Sequence, residues 1–222
     1  MTEVRLYPAG TVPECVTAEW YAEREHAPHL EQDLHRPRLE LAAQFAADLS
    51  ADLDGANVVD IGAGDGGLLS LLRARGVAGH GYDLQPTNVA AAAARGVSVE
   101  LVDAISAVID HRAADIIELA PIAVATEVLE HLVDPHLVLR QLAAAGVDAL
   151  VASSPWTETN GGAYEFHLWA WDQLGYRELL ERNGWHVIRQ ELAGMFQVVA
   201  AVRAHRVVVQ AADAHQLKQV AR

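Results

Sequence analysis

Two groups of residues combine side-chain types and spacings suited to binding a small molecule. The first is a glycine-rich segment at residues 60–67, DIGAGDGG, which overlaps the end of an apolar run. Glycines at such a point let the backbone approach a ligand, and a following helix presents free backbone N–H groups. The second group is the pair of acids Asp83 and Asp103, each of which follows a later apolar run. Their carboxylates can accept hydrogen bonds from hydroxyl or amino groups.

A third group has the composition of a cation-binding or proton-transfer site. Glu127, Glu130 and His131 are spaced i, i+3 and i+4, so they share one face if the chain enters a helical turn directly after the preceding strand. Carboxylate and imidazole ligands can hold Mg²⁺, Mn²⁺ or Zn²⁺ and leave positions open for a substrate oxygen. His167, in a later loop, could complete the site. Without a metal, His131 or His167 becomes the natural general base, because imidazole accepts a proton near neutral pH.

The overall composition favours one large domain in a reducing compartment. The 222 residues are 51% hydrophobic and 21% charged, and no apolar run approaches the roughly 20 residues that a membrane span needs. Residues 1–14 lack the pattern of an export signal, and the one cysteine, Cys15, cannot form an internal disulfide. These features predict a cytoplasmic protein that does not contact a membrane. The net charge of −14 argues against nucleic acid as a partner.

The hydrophobic pattern predicts the elements that position these groups. From Ala18 to Leu53, apolar residues recur at three- and four-residue steps with Pro37 interrupting, which predicts two helices or one broken helix. Residues 1–15 show no clear period and are expected to form an ordered arm or a frayed end. After Asp54 and Gly55, short apolar runs alternate with helical stretches, as in a parallel sheet with crossover helices.

The predicted fold is α/β: a doubly wound, seven-stranded, mostly parallel sheet with an antiparallel last strand and an N-terminal helical arm. Strands are predicted at 57–61, 78–82, 98–102, 122–126, 149–153, 185–192 and 196–202, and helices at 67–75, 86–95, 104–110, 135–145 and 171–182. The break at Ala193 and Gly194 is too short for a crossover, so the last two strands must pair antiparallel. One domain is expected, with an arm and lid at 1–53, a cofactor-binding core at 54–203 and a tail at 204–222.

Aromatic residues are dense around the loop that follows the fifth predicted strand. Trp156, Tyr164, Trp169 and Trp171 all fall in or beside this loop. They predict an apolar wall over an acceptor pocket, unless some of them instead pack beneath the last helix.

The glycine-rich segment alone fits two cofactors. Its glycines match the spacing of a dinucleotide-binding loop, and Asp83 lies 21 residues after Gly62, where a ribose-binding acid is expected. A pyrophosphate would be repelled by Asp60 and Asp65, whereas S-adenosylmethionine brings a sulfonium and an ammonium cation to such a loop. The loop acids therefore favour S-adenosylmethionine over NAD.

The segment resembles the glycine-rich loop of class I, seven-stranded S-adenosylmethionine-dependent methyltransferases. The later motifs follow that family's order: an acid after the second and third core strands, residues 126–131 (TEVLEH) after the fourth, and a reversed last strand. The similarity covers roughly residues 18–203. The Glu-x-x-Glu-His pattern further resembles that of ubiquinone-pathway O-methyltransferases and of small-RNA 3′-end 2′-O-methyltransferases, both of which use a metal there.

The resemblance implies a role for each matched residue. Six residues would bind the cofactor, the first three at its methionine part, the fourth at the ribose and the last two at the adenine: Asp60, Gly62, Gly64, Asp83, Asp103 and Ala104. The stretch at 34–36 (LHR) resembles one in ubiquinone-pathway enzymes, which would place Arg36 on the cofactor carboxylate, with Arg38 as the alternative.

Together these features predict methyl transfer from S-adenosylmethionine to a small-molecule acceptor, at oxygen in the first instance. Glu127, His131 and His167 are the expected catalytic residues, and with Glu130 they would hold a divalent metal. In-line displacement at the sulfonium carbon needs alignment and desolvation, which explains the lack of a nucleophile motif. The alternatives are an RNA 2′-O-methyltransferase, an NAD-dependent oxidoreductase and a non-catalytic cofactor-binding subunit. The oligomeric state is open, with a homodimer as one option.

Overall fold

The computed structural model describes residues 2–7, 18–25, 27–110, 116–160 and 164–203, so the predicted tail lies outside the described residues. The strands are β1 (Glu3–Arg5), β2 (Val58–Ile61), β3 (Gly79–Asp83), β4 (Val99–Leu101), β5 (Ile122–Thr126), β6 (Ala149–Pro155), β7 (Trp169–Trp171), β8 (Trp185–Ala193) and β9 (Phe196–Arg203). The helices are α1 (Ala18–Ala22), α2 (Arg36–Asp52), α3 (Gly67–Ala74), α4 (Pro86–Ala94), α5 (Ala104–Ile109), α6 (Pro135–Ala144) and α7 (Gln173–Glu181). Short 3₁₀ turns cover His29–Glu31, Leu129–His131 and Glu158–Asn160.

The main sheet has seven strands in the order β4-β3-β2-β5-β6-β9-β8. The first five of these are parallel, and β9 runs antiparallel to both of its neighbours, β6 and β8. This confirms the predicted α/β sheet with its reversed last strand. The chain winds outward from β2 towards β4 and then returns to β5 on the other side, so a crevice opens between the carboxyl ends of β2 and β5.

Hydrophobic side chains cover both faces of the central strands. Because successive side chains of a strand point to opposite faces, Val58 packs with α2 and α3, whereas Val59 and Ile61 pack with α5, α6 and α7. All residues of β2, β5 and β6 are buried, as their nearly continuous apolar sequences predicted. Within the described residues, no helix is both long and apolar enough to cross a membrane.

The N-terminal segment departs from the predicted pattern in two places. Glu3–Arg5 forms strand β1, which pairs antiparallel with Trp169–Trp171 in a separate two-stranded sheet. The helix predicted to begin at Trp171 therefore begins at Gln173, after Asp172, whose carboxylate accepts a hydrogen bond from the N–H of Gly175 at 2.7 Å. Pro37 does not interrupt a helix; it lies in the first turn of α2, where a missing N–H removes no intrahelical bond.

Three tryptophans of the predicted aromatic wall do not line the cavity. Trp171 is fully buried against Tyr176 of α7, with ring centroids 5.5 Å apart, and Trp169 stacks on Trp171 at 6.1 Å. Neither ring lines the cavity described below, and neither does Trp156, whose Nε1 donates to the carbonyl oxygen of Gly194 at 3.1 Å. The rings of β7 therefore support the last helix.

Substituting Gly175 with alanine tests the packing of β1 against α7. A Cβ at position 175 would overlap the backbone carbonyl of Thr2, which accepts a hydrogen bond from the N–H of Asp172. Alanine in a helix normally stabilises by about 1 kcal/mol relative to glycine, but here we expect Gly175→Ala to lower the free energy of unfolding by about 1–3 kcal/mol. Urea denaturation measures the change. The control Leu174→Ala, at an exposed position of α7, should change it by less than about 0.5 kcal/mol. A more stable Gly175→Ala would contradict this packing.

Candidate functional site

One cavity of about 790 Å³ lies at the carboxyl edge of the sheet, which is within the size range of small-molecule sites. The six residues that the resemblance assigned to the cofactor all line it: Asp60, Gly62, Gly64, Asp83, Asp103 and Ala104. Residues from α1, from the turn at 29–31 and from α2 line the opposite side. The cavity therefore lies between the sheet edge and the N-terminal arm.

The loop between β2 and α3 uses conformations that glycine adopts without strain. Gly62 and Gly64 have φ values of 75° and 56°. The N–H of Gly62 donates to the carbonyl oxygen of Tyr82 at 2.9 Å, and the N–H of Gly64 donates to Oδ2 of Asp83 at 2.8 Å. A Cβ on Gly62 would lie 2.7 Å from Cγ2 of Val128, so the loop also packs closely against the segment that follows β5. These contacts fix the loop against the ends of β3 and β5.

Asp83 and Asp103 are both held in place by hydrogen bonds. Asp83 accepts from the N–H of Gln85 at 2.8 Å and from Nδ2 of Asn88 at 3.1 Å, in addition to the bond from the glycine loop. Burial raises the pKa of Asp83, and these hydrogen bonds oppose that rise. Asp103 precedes α5 and accepts from the backbone N–H and the hydroxyl of Ser106, at 2.9 and 2.6 Å. Both carboxylates are therefore positioned at the cavity wall.

Asp60 is buried with one carboxylate oxygen unsatisfied within the described residues. It is 2% exposed, and its Oδ1 has no hydrogen-bond partner among the described residues. Burial, with a further contribution from Asp83, raises the pKa of Asp60 to about 7, although the Arg38 guanidinium partly opposes the rise. A cationic ligand beside Asp60 would favour its charged form.

The charge of Asp65 is compensated within the protein, which corrects part of the electrostatic argument made from the sequence. Its Oδ2 lies 2.5 Å from Nη2 of Arg95, and the same guanidinium lies 2.8 Å from Glu31. Its Oδ1 accepts a hydrogen bond from the N–H of Gly67 at 3.2 Å. Asp65 therefore stabilises the loop and joins it to the arm, and the preference for a cationic ligand depends on Asp60.

The arginine that faces the cavity is Arg38. Arg36 is exposed and does not line the cavity, whereas Arg38 is 1% exposed and does. Nη1 of Arg38 lies 3.4 Å from the Ser153 hydroxyl and 3.8 Å from Oε1 of Glu127, and the guanidinium lies over the ring of Phe196 at 5.1 Å. The position of Arg36 does not support a role on the cofactor carboxylate. The alternative, Arg38, does line the cavity.

Glu130, His131 and His167 form a cluster whose ligand atoms lie within 4.8 Å of one another. Glu130 is fully buried, and neither of its carboxylate oxygens has a hydrogen-bond partner within the described part of the chain. Burial raises its pKa well above the ordinary value, and the nearby charge of Glu127 adds to the rise. A buried, unpaired carboxylate is costly unless a cation lies against it. The cluster therefore fits a divalent metal.

Both histidines of the cluster are oriented through Nδ1. Nδ1 of His131 lies 2.9 Å from the carbonyl oxygen of Phe166, and Nδ1 of His167 lies 2.6 Å from Oε2 of Glu158. Each ring therefore has Nε2 available as a ligand, the arrangement by which a carboxylate or carbonyl fixes a metal-binding histidine. Burial, with the nearby His167, lowers the pKa of His131 to about 3, so its ring is neutral at pH 7 and able to ligate.

Glu127 does not share the helical face predicted for it. Its φ of 56° places it in the left-handed region, and only Leu129–His131 form the turn that follows. Its Oε1 accepts a hydrogen bond from Ser153 at 2.8 Å and lies beside Arg38, and no oxygen of Glu127 belongs to the three-residue cluster. Glu127 therefore lines the cavity beside Arg38, and its charge still contributes to the raised pKa of Glu130.

Aromatic side chains of the arm lie over the cluster. The ring of Tyr21 in α1 meets that of His131 edge-on at 5.9 Å, and the ring of Trp20 lies 4.6 Å from that of Phe166. Tyr164 also lines the cavity, so this member of the predicted aromatic wall does lie at the site. These rings limit the access of water to the cluster.

Sequence reasoning missed two side chains at this site, Glu158 and Arg24. Glu158 is 6% exposed and lines the cavity nine residues before His167, in a loop without periodicity. Arg24 follows α1 and reaches the cavity only because the arm folds over the sheet edge. A polar loop residue and a charged arm residue carry no pattern that separates them from solvent-exposed ones, so neither had a detectable signal.

A family model described as a methyltransferase domain matches residues 32–198. No curated protein sequence gave a significant match.

Several solved structures share the fold. A magnesium protoporphyrin IX methyltransferase from Synechocystis PCC 6803 with bound SAH is 18% identical, with a TM-score of 0.59 over 84% of this chain and 92% of that chain. The N-methyltransferase NodS from Bradyrhizobium japonicum, in complex with S-adenosylhomocysteine, is 14% identical, with a TM-score of 0.61 over 84% and 96%. The 1,6-didemethyltoxoflavin-N1-methyltransferase from Burkholderia thailandensis is 18% identical, with a TM-score of 0.54 over 74% and 79%.

The raised pKa of Asp60 predicts how the stability of the ligand-free protein depends on pH. Between about pH 4 and 7 the folded state holds a proton that the unfolded state has released, so the free energy of unfolding should fall as the pH rises through this window. Urea denaturation measures the fall in the free energy of unfolding between about pH 4.5 and pH 8. In Asp60→Asn this fall should be about 2–4 kcal/mol smaller than in the wild type. The control Asp54→Asn, at an exposed position, should behave as the wild type. Equal losses in the wild type and Asp60→Asn would contradict the burial of this charge.

Proposed function

The chain belongs to the methyltransferase-domain family of S-adenosylmethionine-dependent enzymes, and from that premise we propose that it methylates an oxygen of a small molecule with the help of a divalent metal. The observation that carries the proposal is the cluster of Glu130, His131 and His167 at the edge of the cofactor cavity. Magnesium protoporphyrin IX and 1,6-didemethyltoxoflavin, named for two of the structural neighbours, are small molecules. These two proteins are only 18% identical to this chain, so we argue the acceptor from the residues of this chain.

We assign the methionine end of the cofactor to Asp60 and Arg38. The partly unsatisfied carboxylate of Asp60 suits the ammonium group, and the planar guanidinium of Arg38 suits the carboxylate. Asp83 would accept from the ribose hydroxyls, and Asp103 with Ala104 would border the adenine. The glycine loop, fixed by Asp83, brings backbone close to the cofactor without side chains in the way.

The metal would be held by Glu130, His131 and His167. Two imidazoles and one carboxylate favour Mn²⁺ or Zn²⁺ over Mg²⁺, which prefers oxygen ligands. When bound, such an ion lowers the pKa of a coordinated hydroxyl and so makes it a better nucleophile. Glu158 fixes the ring of His167, and the arm excludes water, which would favour in-line attack on the methyl group. Glu127, beside Arg38, borders the cofactor side of the same cavity.

Calorimetry with S-adenosylhomocysteine and NAD tests the cofactor assignment. We expect only the former to bind, and Asp83→Ala to weaken it by about 1–3 kcal/mol, or roughly 5- to 150-fold, through lost hydrogen bonds to the ribose and a looser glycine loop. Glu100→Ala, an exposed acid on the neighbouring strand β4, is the matched control and should bind as the wild type. Binding of NAD alone would reject the proposed function.

Removal of the metal tests the second part of the proposal. The wild type should bind Mn²⁺ or Zn²⁺ in calorimetry after treatment with a chelator, and Glu130→Gln should weaken that binding at least about tenfold, because a neutral amide replaces the charged ligand. Chelation should also abolish methyl transfer, measured by mass spectrometry as a gain of one methyl group. Glu130→Gln removes a buried charge, so its free energy of unfolding without metal should not fall below that of the wild type. Turnover that survives both chelation and Glu130→Gln would reject the metal and leave His131 or His167 as the base.

A further inference from the structure

Arg24 lines the cavity on the side of the N-terminal arm, and its guanidinium lies against three aromatic rings that we call the aromatic platform. Its guanidinium carbon is 4.5 Å from the ring centroid of Trp20, 5.4 Å from that of Phe166 and 6.0 Å from that of Tyr21. Contacts of this kind hold an arginine in place without neutralising its charge. Since Tyr21 meets His131 and Phe166 precedes His167, Arg24 lies on the same side of the cavity as the proposed metal cluster.

The backbone at Arg24 is fixed as well. Its carbonyl oxygen accepts hydrogen bonds from Nε2 of Gln85 at 2.8 Å and from the hydroxyl of Thr87 at 2.9 Å. Gln85 and Thr87 flank Pro86, the first residue of α4, shortly after Asp83. These bonds fix the backbone of Arg24 against the start of α4, and the aromatic rings then hold its guanidinium.

The charge of Arg24 has no carboxylate partner within the described residues. The ion pairs found there, at 4.0 Å or less, do not include it, whereas the other arginine of the cavity lining, Arg38, lies 3.8 Å from Glu127. An arginine that lines a small-molecule cavity without an ion pair remains available to an anionic ligand. On the function proposed above, the methyl acceptor binds on this side of the cavity.

We propose that Arg24 binds a carboxylate of the methyl acceptor, which is therefore a hydroxy acid. The inference rests on the proposed function, since it assumes that this side of the cavity holds the acceptor. The planar fork of a guanidinium matches a carboxylate in two parallel hydrogen bonds. The acids Glu25 and Glu165 also line the cavity, so its lining near Arg24 holds two carboxylates and one guanidinium. One guanidinium balances the single charge of a carboxylate but not both charges of a phosphate dianion, so we favour the carboxylate.

Calorimetry on the protein saturated with S-adenosylhomocysteine tests the proposal. The probes are hydroxylated aromatic and aliphatic carboxylic acids, such as 3,4-dihydroxybenzoate, each compared with its uncharged methyl ester and with the matching phosphonate. At least one acid should bind the wild type about tenfold or more tightly than its ester, as expected of a charged hydrogen bond. Arg24→Met, which keeps an apolar side chain against the aromatic platform, should reduce this ratio to about one, and Arg24→Lys should retain part of it.

Arg36→Met is the matched control, because Arg36 is an exposed arginine of the same arm that does not line the cavity; it should keep the wild-type ratio. Arg24→Met should also retain wild-type affinity for S-adenosylhomocysteine, which shows that it is folded. The proposal is overturned if no acid binds more tightly than its ester, if Arg24→Met keeps the preference, or if a phosphonate binds more tightly than its carboxylate. If Arg24→Met weakens the binding of S-adenosylhomocysteine as much as it weakens the binding of the acid, Arg24 binds the cofactor and the proposal is overturned. If the wild type binds no S-adenosylhomocysteine, it is the proposed function itself that fails.

Discussion

Carboxylates buried at the carboxyl edge of the sheet impose the main constraint on this site. Asp60 is 2% exposed and Glu130 is fully buried, and each has at least one carboxylate oxygen with no partner among the described residues. Burying such a group destabilises the fold unless its charge is met or its proton is retained. The nearest buried cation, Arg38, lies beside Glu127 and cannot compensate all three acids. On our proposal the remaining positive charge comes from the ligands, with the cofactor ammonium at Asp60 and a metal ion at Glu130.

Arg38 connects the two halves of the site. Its guanidinium is adjacent to Glu127 and is joined to it through the Ser153 hydroxyl, while the same side chain borders the cavity. Ser153 is fully buried on the central strand β6, and Glu127 adopts a left-handed conformation that is uncommon for glutamate. A strained residue held by a buried hydroxyl and a buried cation indicates a position set by function more than by stability. A cofactor carboxylate bound to Arg38 would therefore alter the environment of Glu127.

Much of the core could be predicted from the sequence, because its signals are local and periodic. The apolar runs gave β5 at its observed bounds and the other core strands to within a residue or two, and the glycine segment coincided with the loop before α3. Strand β1 could not be predicted, since three residues show no period and their partner lies at Trp169–Trp171. The ion pair of Asp65 with Arg95 could not be predicted either, because it joins residues 30 positions apart. The carboxylate of Glu158 beside His167 could not be predicted because it lies in a loop without periodicity. Helical spacing also failed at Glu127, whose positive φ no local pattern signals.

The arm shows how one fold can serve different acceptors. On our proposal, loops at the ends of the core strands position the cofactor, and methyl transfer needs few further groups once the reactants are aligned. On the same proposal, the acceptor would face α1 and the residues after it, which contact His131 and bond to Gln85 and Thr87. Gln85 also donates its backbone N–H to Asp83, so one residue supports both the arm and this acid of the cavity wall. On our proposal, an acceptor that orders the arm would therefore also stabilise Asp83 through Gln85, and acceptor and cofactor would favour each other's binding.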